Sequence, residues 1–149
     1  MIRIFAAVAS LAMGATIVAA QQDIPKERNN LMGSFAKPHY GVLSRTARGA
    51  SPYNQEAVDA ALLELERLVA KLPAVFVEGG KGDVADSKYG TSPKAWDNRA
   101  DLDKKIADMQ KAIADQKGKI KDLDTLKASY KILNDTCESC HESYRIRKG

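Results

Sequence analysis

Residues 122–147 read DLDTLKASYKILNDTCESCHESYRIR. Leu123, Leu126, Tyr130, Leu133, Cys137, Cys140 and Tyr144 recur at three- and four-residue steps, the period of one helical face. The spacing predicts a helix over about 122–147, with both cysteines inward on its apolar stripe. Within it stands Cys137-Glu138-Ser139-Cys140-His141, a C-x-x-C-H run. That run is the attachment signature of a c-type haem. Two thiols at this spacing add to the two vinyl groups on one porphyrin edge. The imidazole of the next residue then binds iron from the proximal side. A haem held this way would be stitched to the core side of the last helix.

Two other uses of a C-x-x-C pair were weighed. A thioredoxin-like dithiol belongs near a helix start in a βαβ setting, and no strand pattern precedes this pair. A structural zinc needs four ligands, whereas the chain has two cysteines and one further histidine, His39. Haem is the reading that uses the trailing His141.

The N-terminus supports it independently. Met1-Ile2-Arg3 is a short basic start, residues 4–18 are mostly apolar, and Val18-Ala19-Ala20 offers small residues to a signal peptidase. The expectation is a cleaved signal peptide over 1–20 and a single c-type haem domain over 21–149. Export implies an oxidising compartment, here the periplasm. Arg3 is the only charge in residues 1–20, so its removal takes the formal net charge from +4 to +3. Two haem propionates would bring it to roughly +1. No Lys/Arg cluster interleaved with aromatics suggests nucleic acid, and no membrane contact is expected after cleavage.

Three more amphipathic segments precede the last one. The first runs from about Ile24 to Arg48, with Leu31, Met32, Phe35, Tyr40 and Val42 apolar, a kink expected at Pro38, and an end at Gly49-Ala50-Ser51-Pro52. The second starts at an Asn54 cap, places Val58, Leu62, Leu65 and Leu72 on one face, and stops at Pro73. A long loop over about 75–92 is expected to cross the bundle end. Ser92-Pro93 opens the third, which carries Trp96, Leu102, Ile106, Met109 and Ile113 and ends near Gly118. Four helices of this length make an all-α, antiparallel, up-down-up-down bundle the economical fold.

The other side of the iron is settled less directly. Beyond the signal peptide, the methionines are Met32 and Met109. Met109 sits on a regular apolar stripe between Ile106 and Ile113 and reads as core. Met32, on the first helix, either ligates iron or packs over the porphyrin. His39 lies seven residues further on, nearly on the same face but two turns away. Arg28 and Arg145 are candidates to meet a haem propionate, each with a solvated alternative. Trp96 and Tyr130 read as packing residues of the haem environment, the Trp96 indole N–H wanting a partner.

With these residues together, the chain resembles the class II cytochromes c, the cytochrome c′ family. The pieces that carry the resemblance are Arg28 to Met32, Ser92-Pro93-Lys94-Ala95-Trp96, and Cys137 to Arg145. It is most similar to the low-spin cytochrome c-556 type, through Gln21-Gln22-Asp23, Ala57 to Leu62, and Gly118 to Lys127. The resemblance implies one covalently attached haem c, Met32 as sixth ligand opposite His141, and electron transport with redox partner proteins. It implies no enzyme activity. In the high-spin branch the iron is five-coordinate and binds nitric oxide or carbon monoxide, which stands as the alternative. A thiol–disulfide protein without haem is a third reading. A monomer and a homodimer are both compatible with the sequence.

Overall fold

A computed structural model describes residues 24–149; the signal-peptide reading of residues 1–20 lies outside them. Four helices carry the fold. The first, α1, is helical over residues 24–34, π-helical over Lys37–Ser44, and α-helical again over Arg45–Ala47. The others are α2 (Gln55–Val69), α3 (Arg99–Gln116) and α4 (Leu123–Tyr144). They form an antiparallel bundle whose core is laid down by Leu43, Val58, Leu62, Leu102, Ile113 and Leu126, each at most 2% exposed. Burying one such side chain is worth about 1.5–3 kcal/mol, so the four apolar stripes drive the assembly. No helix among the described residues is long and apolar enough to cross a membrane.

The helix ends follow local chemistry. Asn54 caps α2, its side chain accepting from the Ala57 N–H at 2.8 Å. Asp122 and Thr125 form a reciprocal box at the start of α4, with Thr125 N–H donating to Asp122 at 2.8 Å and Asp122 N–H donating to Thr125 Oγ1 at 3.1 Å. Gly49, at φ +75°, closes α1 in the left-handed region, where the Ala50 N–H reaches back to the Arg45 carbonyl at 2.8 Å.

The proline expectations need correcting in two places. Pro38 was expected to kink α1, and the helix instead widens into a π-helical stretch there. The missing N–H and the crowded carbonyl four residues back are taken up by the wider turn. The ladder is tied again at once, by His39 N–H to Phe35 O at 3.0 Å. Pro73 does not stop α2, which already ends at Val69. It sits instead in the first turn of a separate short helix, Leu72–Val75, where a proline loses no bond.

The connection after it is more ordered than a crossover loop. It holds a 3₁₀ turn, Glu78–Gly80, and a strand β1, Tyr89–Thr91. β1 pairs antiparallel with β2, Arg145–Arg147, in the register Tyr89 to Arg147, Gly90 to Ile146 and Thr91 to Arg145. The last helix therefore ends at Tyr144, three residues short of expectation. The third also starts late, because Lys94–Asp97 form a separate turn broken at Asn98. Tyr144 is tied down by its O–H to Asp101 at 2.5 Å, and its carbonyl accepts from the Ser92 N–H at 2.8 Å.

Arg28 locks this connection onto α1. It is 3% exposed, and its guanidinium donates to the carbonyls of Val75 (3.2 Å), Gly80 (2.8 Å) and Gly82, with Asp83 at 3.7 Å. Phe76 and Trp96 lie against the same guanidinium at 5.6 and 5.2 Å. Burial lowers the Arg28 pKa and Asp83 pulls it back up. Arg28→Ala strands three carbonyls and a carboxylate and is expected to cost about 3–5 kcal/mol. Urea unfolding measures it, and a loss below 1 kcal/mol would show that the connection does not depend on this side chain.

Candidate haem-binding cavity

A cavity of about 400 Å³ opens between the helices beside the C-x-x-C-H run, within the size range of ordinary ligand pockets. Cys137, Cys140 and His141 form one wall, because three- and four-residue steps bring all three to the inward side of α4. Met32, Phe35 and His39 line it from α1, and Ile106 and Met109 from α3. Tyr144 and the Leu72–Phe76 segment close the apolar part. The stretch 83–91 supplies Asp83, Val84, Tyr89, Gly90 and Thr91.

The electrostatics suit thiols and neutral imidazoles. Burial pushes the Cys137 thiol up to about 11, with Glu138 and Cys140 adding to the rise. Cys140 is raised by burial too, while Lys105 beside it pulls the other way. His141 is held below its ordinary value, first by burial and then by Arg145, against an opposing pull from Glu138. A neutral ring keeps a lone pair for a metal. His141 Nδ1 and His39 Nε2 are buried without a hydrogen-bond partner.

Of the residues singled out from the sequence, Arg28, Met32, His39, Met109, Cys137, Cys140, His141 and Arg145 share the cavity. Arg28 lines it while its guanidinium donates to the connection's carbonyls. Trp96 stands one layer back, against Arg28, with its indole N–H donating to the Val77 carbonyl at 3.0 Å. Arg145 was placed one helical turn past His141; it lies instead in β2, extended at φ −99° and ψ 128°, with its guanidinium 4.8 Å from the Tyr89 ring. Tyr130 packs against His39 at 5.2 Å between ring centroids. Met109, read as core, does pack on the core and also reaches the cavity.

Sequence reasoning missed Lys105, whose ammonium donates to Ser139 Oγ at 2.9 Å, and the wall from Asp83 to Thr91. Three-residue strands leave no alternation to detect. The two close approaches at Gly80 and Gly90 were visible only as loop glycines. A Cβ on Gly80 would collide with Ile24, and one on Gly90 with Asp83.

Two thiols and an imidazole on one wall, a thioether on another and apolar sides between them fit an iron porphyrin. Among the described residues, no group of three or more His, Cys, Asp or Glu side chains gathers to hold a bare metal ion. Comparison with known proteins agrees. The family described as Cytochrome C′ matches residues 23–145. Cytochrome c-555 of Bradyrhizobium diazoefficiens is 46% identical over 140 residues, covering 94% of each chain. The structure of oxidised cytochrome c556 from R. palustris superposes with a TM-score of 0.64 at 41% identity, covering 89% of this chain and 98% of that one. A nitric oxide complex of a cytochrome c prime variant from Alcaligenes xylosoxidans superposes at 0.73 and 26% identity, covering 86% and 97%. The inward C-x-x-C-H helix, the bundle around it and these likenesses converge: the chain belongs to the cytochrome c′ family of haem c proteins, with cytochromes c-555 and c-556 among its relatives.

Proposed function

We propose that this chain is a periplasmic monohaem electron carrier, with Cys137 and Cys140 as the covalent attachment points and His141 and Met32 as the two axial ligands. The observation that carries it is the entry of Met32 into the same cavity as all three members of the C-x-x-C-H run. When bound, the haem supplies an iron that alternates between ferric and ferrous. The chain's residues do the rest. Cys137, Cys140 and His141 on the α4 wall would hold the group, the two cysteines covalently, against loss outside the cytoplasm. Met32 offers a soft, neutral thioether, the partner that with histidine suits electron transfer. Phe35, Ile106 and Tyr144 keep water off the centre, and ligands held by packed helices need little rearrangement between oxidation states.

The docking face lies where β2 leaves the bundle. Arg145 lines the cavity, and Arg147, Lys148 and Lys88 lie on or beside the same β1–β2 pair; together they favour an acidic redox partner, by steering more than by affinity. Residues 1–20 act as the cleaved export signal, and no membrane contact is part of the mature protein's work.

Optical spectra of the exported protein, ferric and ferrous, with and without carbon monoxide, test this reading. Low-spin spectra in both states and no carbon monoxide shift are expected. A second reading, five-coordinate iron that sequesters nitric oxide, is favoured by the likeness to the nitric oxide complex above. High-spin spectra with ready carbon monoxide binding would decide for it.

A further inference from the structure

His39 has no role in the arrangement described so far, yet it is 3% exposed and its Nε2 is buried with no hydrogen-bond partner. A buried polar atom left in that state costs about 1–3 kcal/mol. A fold that retains such an atom on the wall of a cavity points to something that binds it there. The ring is held firmly, edge-on to Tyr40 with centroids 4.6 Å apart and tilted against Tyr130 at 5.2 Å. It lines the same cavity as Met32, Cys137, Cys140 and His141.

The backbone beneath it differs from that beneath Met32. On an unbroken α-helix, residues seven apart share a face two turns apart, and only the nearer could serve one centre. Here Met32 lies on the α-helical segment 24–34, whereas His39 lies inside the π-helical stretch Lys37–Ser44. Pro38 next to it has no N–H to tie the turn. π-helical turns are rare and are frequently found at functional sites. The two donors therefore sit on differently wound segments of the same helix, and both line the cavity.

We propose that His39 is a reserve iron donor, taking the sixth position opposite His141 whenever Met32 releases it. This rests on the reading of Met32 as the resident ligand. The exchange breaks one Fe–S dative bond and forms one Fe–N dative bond; no electron is transferred, and the ring proton stays on Nδ1. A thioether is the softer donor and suits ferrous iron, whereas imidazole holds ferric iron better. The exchange from Met32 is therefore directed to the ferric state; once Met32 is absent, His39 closes the distal side in both oxidation states.

The test uses the holoprotein in four forms: wild type, Met32→Ala, His39→Phe, and Met32→Ala with His39→Phe. Ferric electron paramagnetic resonance and the near-infrared charge-transfer band report the axial pair, and carbon monoxide titration reports access to the ferrous iron. Expected are thioether ligation in wild type, two-imidazole low-spin iron in Met32→Ala, and high-spin iron in the double variant. With the site about 90% held by His39, carbon monoxide binds Met32→Ala roughly tenfold more weakly than the double variant. Free imidazole returning the double variant to low spin shows that its pocket is intact. Ferric iron that is already high-spin in Met32→Ala, with thioether ligation in wild type, overturns the reserve ligand and leaves the electron-carrier reading standing. Two-imidazole iron in wild type, lost on His39→Phe alone, overturns both. Low-spin iron persisting in the double variant assigns the reserve role to another donor, such as Lys105 or Met109, and also overturns the proposal.

Discussion

Met32→Ala is expected to open the ferrous iron to carbon monoxide and to abolish the thioether signature of the ferric protein. Met32 lines the cavity from α1, a helix packed against α2 and α4 through the buried Leu31 and Leu43. Its side chain is only partly buried, so truncation removes a ligand without hollowing the core. If the thioether occupies the iron 99% of the time, its loss raises apparent carbon monoxide affinity by about a hundredfold. His39, where it steps in, recovers part of that factor and no more. The reduction potential should fall as well, since the Met/His pair is the one that raises it. Carbon monoxide titration and a redox titration read both effects. Unchanged affinity and potential would place Met32 as packing over the porphyrin and return the sixth position to the list of open sites.

Cys137→Ser with Cys140→Ser is expected to remove covalent haem entirely, as read by haem staining after denaturing electrophoresis and by intact mass. The larger consequence is on the fold. A chain that never acquires the group keeps a cavity of about 400 Å³ among its helices. At about 24 cal/mol per Å³ this is an upper bound of roughly 10 kcal/mol, reduced by water entering through the mouth. Even half of that rivals the whole stability of an ordinary domain. The serine variant should therefore keep its helical far-ultraviolet signal while losing a cooperative thermal transition. A sharp transition near the wild-type temperature would show that the bundle core, from Leu43 to Leu126, stands without the cofactor.

The same numbers explain which parts of the protein were readable beforehand. The apolar stripes of α2 and α4 run at full helical period and are buried as their spacing requires: Val58, Leu62 and Leu65 on one, Leu126 and Leu133 on the other. Caps at Asn54 and Asp122 are local events, written in two or three adjacent residues. So is the C-x-x-C-H run, whose chemistry needs only neighbours. The four-helix architecture, the haem c cofactor and the family all follow from such short-range signals.

What failed was long-range. Arg145 was expected on a helix because residues 122–147 keep their apolar spacing to the end. The chain leaves the helix at Tyr144 because Ser92 and β1 offer its last backbone groups partners from more than fifty residues away. Arg28 was a candidate for a propionate, and its guanidinium also donates to carbonyls of a connection that no local pattern could position. Trp96 follows Arg28 and so stands behind the cavity. The π-helical stretch around Pro38 is likewise a tertiary result. Proline forbids one bond in any helix, but only packing of α1 against α2 and α4 decides that the helix widens instead of bending away.

Sequence alone thus determined the four main helices and the cofactor class, because each depends on residues within one or two helical turns. Tertiary structure alone decided which side chains reach the cavity together. It brought Met32, His39 and Met109 to face Cys137 and His141, and it engaged Arg28 with the connection's carbonyls. Convergence of that kind depends on contacts between segments far apart in the chain, whose free energy no local period encodes.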